Sequence, residues 1–252
     1  MRNNLMKRLT FMLTALLCLN GAAFAAIDWE SKGMQMVGEI VANPSAFFYD
    51  FQQDLEGTTP LPPGKSFSVQ TGLFPTLIPM GYTNLSGKYR LHAEGRLAPG
   101  VPQVDLIGGY WDMIWAKMAA KQSDTVDSAK FNGYYVGAIV SASVSPRIRT
   151  FWGYKHSALA ANLKFNEGKE PELLGTKVNS FESGFKDDFL IAGIETPKGI
   201  NKFWSMQLNY GVRTQTFSTK LSWYGKFFEL GLNIYPEGVL VVHPVWNFHV
   251  NF

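Results

Sequence analysis

Cysteine is nearly absent: Cys18 is the only one, and it lies in the apolar run Leu9–Leu19 near the amino end. That run follows Arg2, Lys7 and Arg8 and precedes the small residues Ala23-Phe24-Ala25, the order of a secretory signal peptide cleaved after Ala25. Cys18 follows Leu17 inside the run, so lipidation is not expected. Residues 26–252 then hold no thiol for a disulfide or a thiolate metal site. Charge of one sign is also missing. The 23 lysines and arginines of the whole chain fall to 20 without Arg2, Lys7 and Arg8, against 20 acids. The slightly basic pI therefore belongs to the signal and is no footprint of nucleic-acid binding. No run after residue 25 approaches the roughly 20 apolar residues of a membrane-crossing helix, and Leu9–Leu19 is itself too short for a retained anchor.

Catalytic signatures are missing as well. There is no G-x-S-x-G elbow, no phosphate-binding glycine loop, no H-E-x-x-H and no EF-hand loop. His92, His156, His243 and His249 do not share a ligand spacing, so neither a metal nor a cofactor is expected. His156-Ser157 is the one pair that invites a hydrolase reading. Neighbours on a strand point to opposite faces, so this pair is not expected to act as base and nucleophile.

What the sequence has in quantity is a period of two. Tyr89, Leu91, Ala93, Gly95 and Leu97 alternate with Lys88, Arg90, His92, Glu94 and Arg96. Tyr134, Val136, Ala138, Val140, Ala142 and Val144 share one parity. Ile148, Thr150, Trp152 and Tyr154 alternate with Arg147, Arg149, Phe151, Gly153 and Lys155, and Trp204, Met206, Leu208 and Tyr210 with Ser205, Gln207 and Asn209. Each segment reads as a strand with one apolar and one polar face. Between Leu221 and Ile234 the apolar parity shifts, which predicts a β-bulge near Phe227 and Phe228. Turns are predicted at Ser145-Pro146, Pro197-Lys198-Gly199 and Pro236-Glu237-Gly238.

Three stretches depart from this pattern. Residues 26–64 read as a helical lead-in: Asp28 caps a first helix with Met34, Val37 and Val41. Asn43-Pro44 opens a second with Phe47, Phe48, Phe51 and Leu55 at helical spacing, and a proline-rich connector, residues 58–64, ends it. This lead-in would plug or cover one mouth, or pack at the rim. Residues 113–128 read as a helical loop and residues 166–176 as a solvated loop.

The last strand carries the most specific signal. Trp246, Phe248, Val250 and Phe252 occupy one parity and Asn247, His249 and Asn251 the other. An apolar face on a terminal strand needs a cover, and a bilayer supplies one. The alternation and the terminal aromatic resemble the closing strand of Gram-negative outer-membrane β-barrel proteins as a general class, with no narrower family indicated. That resemblance implies Trp246, Phe248, Val250 and Phe252 as an assembly signal read by the barrel assembly machinery, contact with outer-membrane lipid, and an outer-membrane location after export. The expected fold is all-β, a transmembrane antiparallel up-and-down β-barrel over residues 65–252 with about ten strands, in the range 8–12. A soluble exported sandwich is the rival fold. Counting strands back from a periplasmic C-terminus puts the short Pro236 turn on the outer side, where loops usually run longer.

If the apolar parity faces lipid, Lys88, Arg90, His92, Glu94, Arg96, Arg147, Arg149, Lys155 and Arg213 line the lumen, and the lumen leans basic. Glu182, Asp187, Asp188, Glu195 or Glu229 would cross-link these cations in a closed barrel. The expected function is a passive pore or small-solute transport barrel; the alternatives are a structural or interaction barrel with a blocked lumen, and a lipid-modifying enzyme.

Overall fold

The computed structural model describes residues 44–72, 83–170, 172–173, 176–177, 179–199, 202–238 and 241–252. The expected signal peptide and the first helix of the lead-in lie outside the described residues. In chain order the elements are α1 (Pro44–Asp54), β1 (Phe67–Gly72), β2 (Thr83–His92), β3 (Gln103–Asp112), α2 (Ile114–Gln122), β4 (Val126–Ser145) and β5 (Ile148–Phe165). There follow β6 (Glu172–Leu173), β7 (Thr176–Lys177), β8 (Ser180–Gly199), β9 (Lys202–Gly211), β10 (Phe217–Tyr224), β11 (Phe228–Ile234) and β12 (Val242–Asn251).

β6 and β7 pair only with each other; the other ten strands form one closed antiparallel up-and-down barrel. Closure joins β12 to β1, in register from Ser68 against Asn251 to Gly72 against Asn247. The terminal residue extends the seam. Phe252 N donates to Phe67 O at 2.8 Å, Ser66 N donates to Phe252 O at 2.8 Å, and the Phe67 and Phe252 rings stack with centroids 6.2 Å apart. A sheet closed in this way has no exposed edge to recruit a second chain.

The two ends of the barrel differ. At the end that holds Phe252, the connections after β4 and β10 take two and three residues, and only residues 93–102 make a longer link. The opposite end carries α2, the β6–β7 hairpin and the connections 212–216 and 235–241, and is called the loop end below. The turn at Pro236 lies there: Gly238 N donates to Tyr235 O and Tyr235 N to Val241 O. Loop-end connections therefore range from the short links 212–216 and 235–241 to the longer ones that carry α2 and the β6–β7 hairpin.

Four sequence-based expectations shift. β2 ends at His92, because Gly95 and Gly100 take positive φ angles of 72° and 85° that turn the chain; the alternation up to Leu97 runs on into that turn. No bulge lies at Phe227–Phe228. Gly225 N donates to Phe228 O at 2.7 Å in a tight hairpin connection, and Trp223 opposes Leu230 on the neighbouring strand, so the parity shift records a reversal of direction. β8 runs through Pro197 with a register shift before Gly199 pairs Lys202, which moves the turn beyond Gly199. The helical loop at residues 113–128 holds α2, but β4 has begun by Val126.

The packing is inverted relative to a water-soluble domain. Leu85, Tyr89, Leu106, Tyr110, Tyr134, Val136, Trp152, Leu190, Trp204 and Leu208 are exposed on the outside, as are Leu230, Leu232 and Trp246. Ser68, Gln70, Gln103, Ser205, Gln207, Asn209, Asn233 and Asn247 are buried inside. Period-two alternation sends successive side chains to opposite faces; here the polar residues converge on the barrel axis, where they meet an inward apolar cluster of Ile107, Tyr135, Ile139, Phe151 and Ile191.

Candidate functional site

The axis is occupied by the chain itself. Residues 49–62, the second half of α1 and the extended run after it, are all buried. They start at the loop end, where Tyr49 Oη lies 2.8 Å from Thr214 Oγ1 and 2.9 Å from Thr216 Oγ1. They finish near the opposite end, where Leu61 N donates to Asp105 Oδ2 at 2.8 Å and Leu61 O accepts from Arg90, Gln103 and Arg149. The expected plug is therefore a segment threaded along the lumen, not a lid over one mouth or a rim contact.

Two kinds of contact hold it. An apolar cluster of Phe51, Leu55, Trp111, Leu159 and Ala161 fixes one side of α1 against β3 and β5, with Phe51 and Trp111 edge to face at 5.3 Å. Tyr49 also packs against the Phe185 and Phe189 rings, and the remaining contacts are largely polar, with partners on β2, β3, β4, β5 and β8 to β12. Gln52 donates to Ser157 Oγ at 3.2 Å and accepts from the Trp111 indole, and Ser218 donates to Gln53 Oε1 at 3.0 Å. Asp54 accepts from Asn233 at 2.7 Å and Tyr235 at 2.8 Å, and pairs with His243 at 2.5 Å. Glu56 takes Lys155 and Ser157, and Gly57 N donates to Tyr135 Oη at 2.9 Å. Thr58 bonds Gln207, and Lys88 donates to both oxygens of Thr59 at 2.8 Å. A buried polar group left without a partner costs about 1–3 kcal/mol, so a lumen with this many donors and acceptors demands a polar filler. The wall makes room for it: a β-carbon on Gly133 would strike the Gln52 amide and the Trp111 indole.

The residues expected to line the lumen divide. Lys88, Arg90, Arg149 and Lys155 are buried inside. His92 is half-buried at the end of β2, its Nδ1 3.3 Å from Ala93 O. Glu94 and Arg96 are exposed in the 93–102 connection, where Glu94 accepts from Ser143 N at 2.8 Å. Arg147 is exposed in the β4–β5 turn, and Arg213 just beyond β9. These four sit in turns, where strand parity no longer decides direction. The expected basic lean is not what the interior shows: Lys88, Arg90, Arg149, Lys155 and Lys220 are buried with Asp50, Asp54, Glu56, Asp105, Asp187, Glu195 and Glu229. Four ion pairs connect them, Arg90–Asp105, Arg149–Glu195, Lys155–Glu56 and Lys220–Glu229.

Of the carboxylates expected to cross-link the lumen, Glu195 and Glu229 do so. Asp187 instead accepts from Thr214 Oγ1 at 2.6 Å and Arg213 N at 2.8 Å. Glu182 is exposed and accepts from Asn162. Asp188 faces outward, 2.8 Å from His156 Nδ1 and 3.5 Å from Arg213 Nε, and accepts from Tyr154. Sequence reasoning missed Asp50, Asp54, Glu56 and Asp105. α1 carries Asp50, Gln52, Gln53 and Asp54 beside its aromatic residues, a polar face that fits solvent as well as a wet lumen, so the sequence held no signal that placed these groups inside.

His156 and Ser157 do lie on opposite sides of the wall, Ser157 fully buried on Glu56 and His156 outside on Asp188. No cluster of three or more metal-binding side chains occurs among the described residues. Trp246, Phe248, Val250 and Phe252 lie together on β12 and its end, with Trp246 and Phe252 exposed and Phe248 edge to face with Phe228 at 5.5 Å. Comparison with protein-family models, curated proteins and solved structures gives no match for this chain.

Proposed function

We propose that the chain is an integral outer-membrane β-barrel whose lumen is closed by its own residues 49–62, a structural or interaction barrel rather than a passive pore. The observation that carries the membrane half is the inverted packing, with aromatic and aliphatic side chains outside and a hydrogen-bonded polar interior. A soluble protein rarely leaves so large a continuous apolar surface uncovered. Further support comes from strand length: β2, β3, β9 and β12 each span 10 residues, within the roughly 9–11 that cross a bilayer when tilted. Exposed aromatic residues also collect toward each end, Tyr110, Tyr134, Tyr154 and Phe217 toward the loop end and Phe67, Tyr89, Phe228 and Phe252 toward the other, as in interfacial girdles. The polar cluster of His156, Asp188 and Arg213 lies beyond Tyr154 on the outer face, at headgroup height in this reading.

The closed-lumen half rests on the buried segment, and it replaces the pore as the reading we adopt. The separation of His156 from Ser157 favours a barrel without serine hydrolase chemistry. Short connections at the Phe252 end support a reading in which that end faces the periplasm and the loop end faces outward, as in bacterial outer-membrane barrels. Membrane fractionation with gel mobility before and after boiling tests the location. The protein should appear in the outer-membrane fraction and change mobility on boiling; recovery in the soluble periplasmic fraction would refute the proposal.

A further inference from the structure

On the outer face of the wall, β5, β8 and the connection after β9 bring one polar cluster together. Register sets His156 opposite Asp188. One step nearer the Phe252 end on the same face it sets Tyr154 opposite Leu190, and Leu190 opposite Tyr210. Asp188 is the hub: its Oδ1 lies 2.8 Å from His156 Nδ1 and accepts from Tyr154 Oη at 2.5 Å, and its Oδ2 lies 3.5 Å from Arg213 Nε. The backbone anchors Arg213 as well. Val212 N donates to Asp188 O and Arg213 N to Asp187 Oδ1, both at 2.8 Å.

Arg213 turns Nε toward Asp188, and a guanidinium carries further N–H groups on its two terminal nitrogens, a planar fork that takes phosphate oxygens in pairs. Lys186 adds a second cation. Asp187 and Phe189 are buried inside, so Lys186 shares the outer parity of Asp188; it is exposed and stands about 7 Å further along the strand. One carboxylate, engaged in orienting its neighbours, thus meets two permanent cations. Glu182, two outward positions beyond Lys186, accepts from Asn162 at 2.9 Å. The wall below the cluster is apolar and aromatic, with Tyr154 and Leu190 exposed.

We propose that Arg213 and Lys186, aligned by Asp188, bind the phosphomonoester of an outer-leaflet lipid headgroup, whose acyl chains descend the wall past Tyr154 and Leu190. The inference rests on the membrane reading and adds to it a place and a lipid chemistry. A phosphodiester covered by its own ammonium offers the two cations less charge, and a free anion makes no use of the apolar wall beneath.

Native mass spectrometry tests this on the heat-modifiable full chain, reconstituted in vesicles of phosphatidylcholine and phosphatidic acid with identical acyl chains and then released in detergent. Phosphatidic acid should be retained over phosphatidylcholine by about tenfold, the factor that one charge-assisted hydrogen bond of ~1.4 kcal/mol provides. Arg213→Gln and Lys186→Gln, both at exposed positions, should each reduce that preference severalfold. Lys226→Gln, which removes an exposed cation at the Phe252 end, should leave it unchanged. Equal retention of the two lipids would overturn the proposal, and so would equal losses in all three variants, the mark of diffuse attraction to a charged surface. Loss of the preference on adding millimolar inorganic phosphate at constant ionic strength would assign the cluster to free anions and overturn the lipid. A chain that never enters vesicles would overturn the membrane reading together with this inference; a reconstituted, heat-modifiable chain without the preference would overturn this inference alone.

Discussion

Glu56 concentrates the chemistry of the interior: it accepts from Lys155, Ser157 and Gln52, all buried. Replacing it by glutamine keeps the shape and removes the charge, leaving the Lys155 ammonium buried and uncompensated. Breaking a buried pair from one side costs about 3–5 kcal/mol. Glu56→Gln should therefore lower the denaturation midpoint clearly. Glu56→Gln with Lys155→Met should recover most of the loss, because no lone charge remains. Urea titration followed by gel mobility checks both; a double variant no better than the single would mean that the pair is not what stabilises the segment. Lys155 was legible from parity, as were Arg149 and Lys88. Their partners were less so, since Glu56 reaches the pair from 99 positions away in sequence, a distance that no local period spans.

At the scale of elements, alternation located strands well and their ends poorly. The expected faces of β9 hold: Trp204 and Leu208 are exposed, while Ser205, Gln207 and Asn209 are buried. Glu94 and Arg96 continue the same period beyond His92 and yet lie in a turn, because period two is a pattern of side chains and glycine φ angles decide where the backbone stops. α1 was readable as a helix from Asn43-Pro44 onward, but its place was not, since a polar segment fits equally on a rim or in a wet lumen. β12 makes the most testable element. Phe252 contributes one donated and two accepted backbone bonds to the β1 seam and a stacked ring. Deleting it should reduce the amount of heat-modifiable protein in the outer membrane severalfold, through loss of both the seam and the assembly signal. Unchanged amounts would show that closure and recognition rest on Trp246 and Phe248 alone.

For the whole molecule, the ten-strand closed barrel followed from repeated strands and the terminal signal. The closed passage did not. A sequence-based count of cations placed Arg96, Arg147 and Arg213 in the lumen and omitted the carboxylates of α1, and so pointed to a basic pore. With residues 49–62 in place, seven buried carboxylates meet five buried cations; three of the four ion pairs join neighbouring wall strands and Lys155–Glu56 joins the wall to the segment. The central claim is that this segment closes the passage. Single-channel recording in planar bilayers tests it most directly, comparing the full chain with a variant lacking residues 44–62. The account predicts no stepwise conductance from the full chain and discrete open steps from the variant. Stepwise conductance from the full chain, equal to that of the variant, would contradict it.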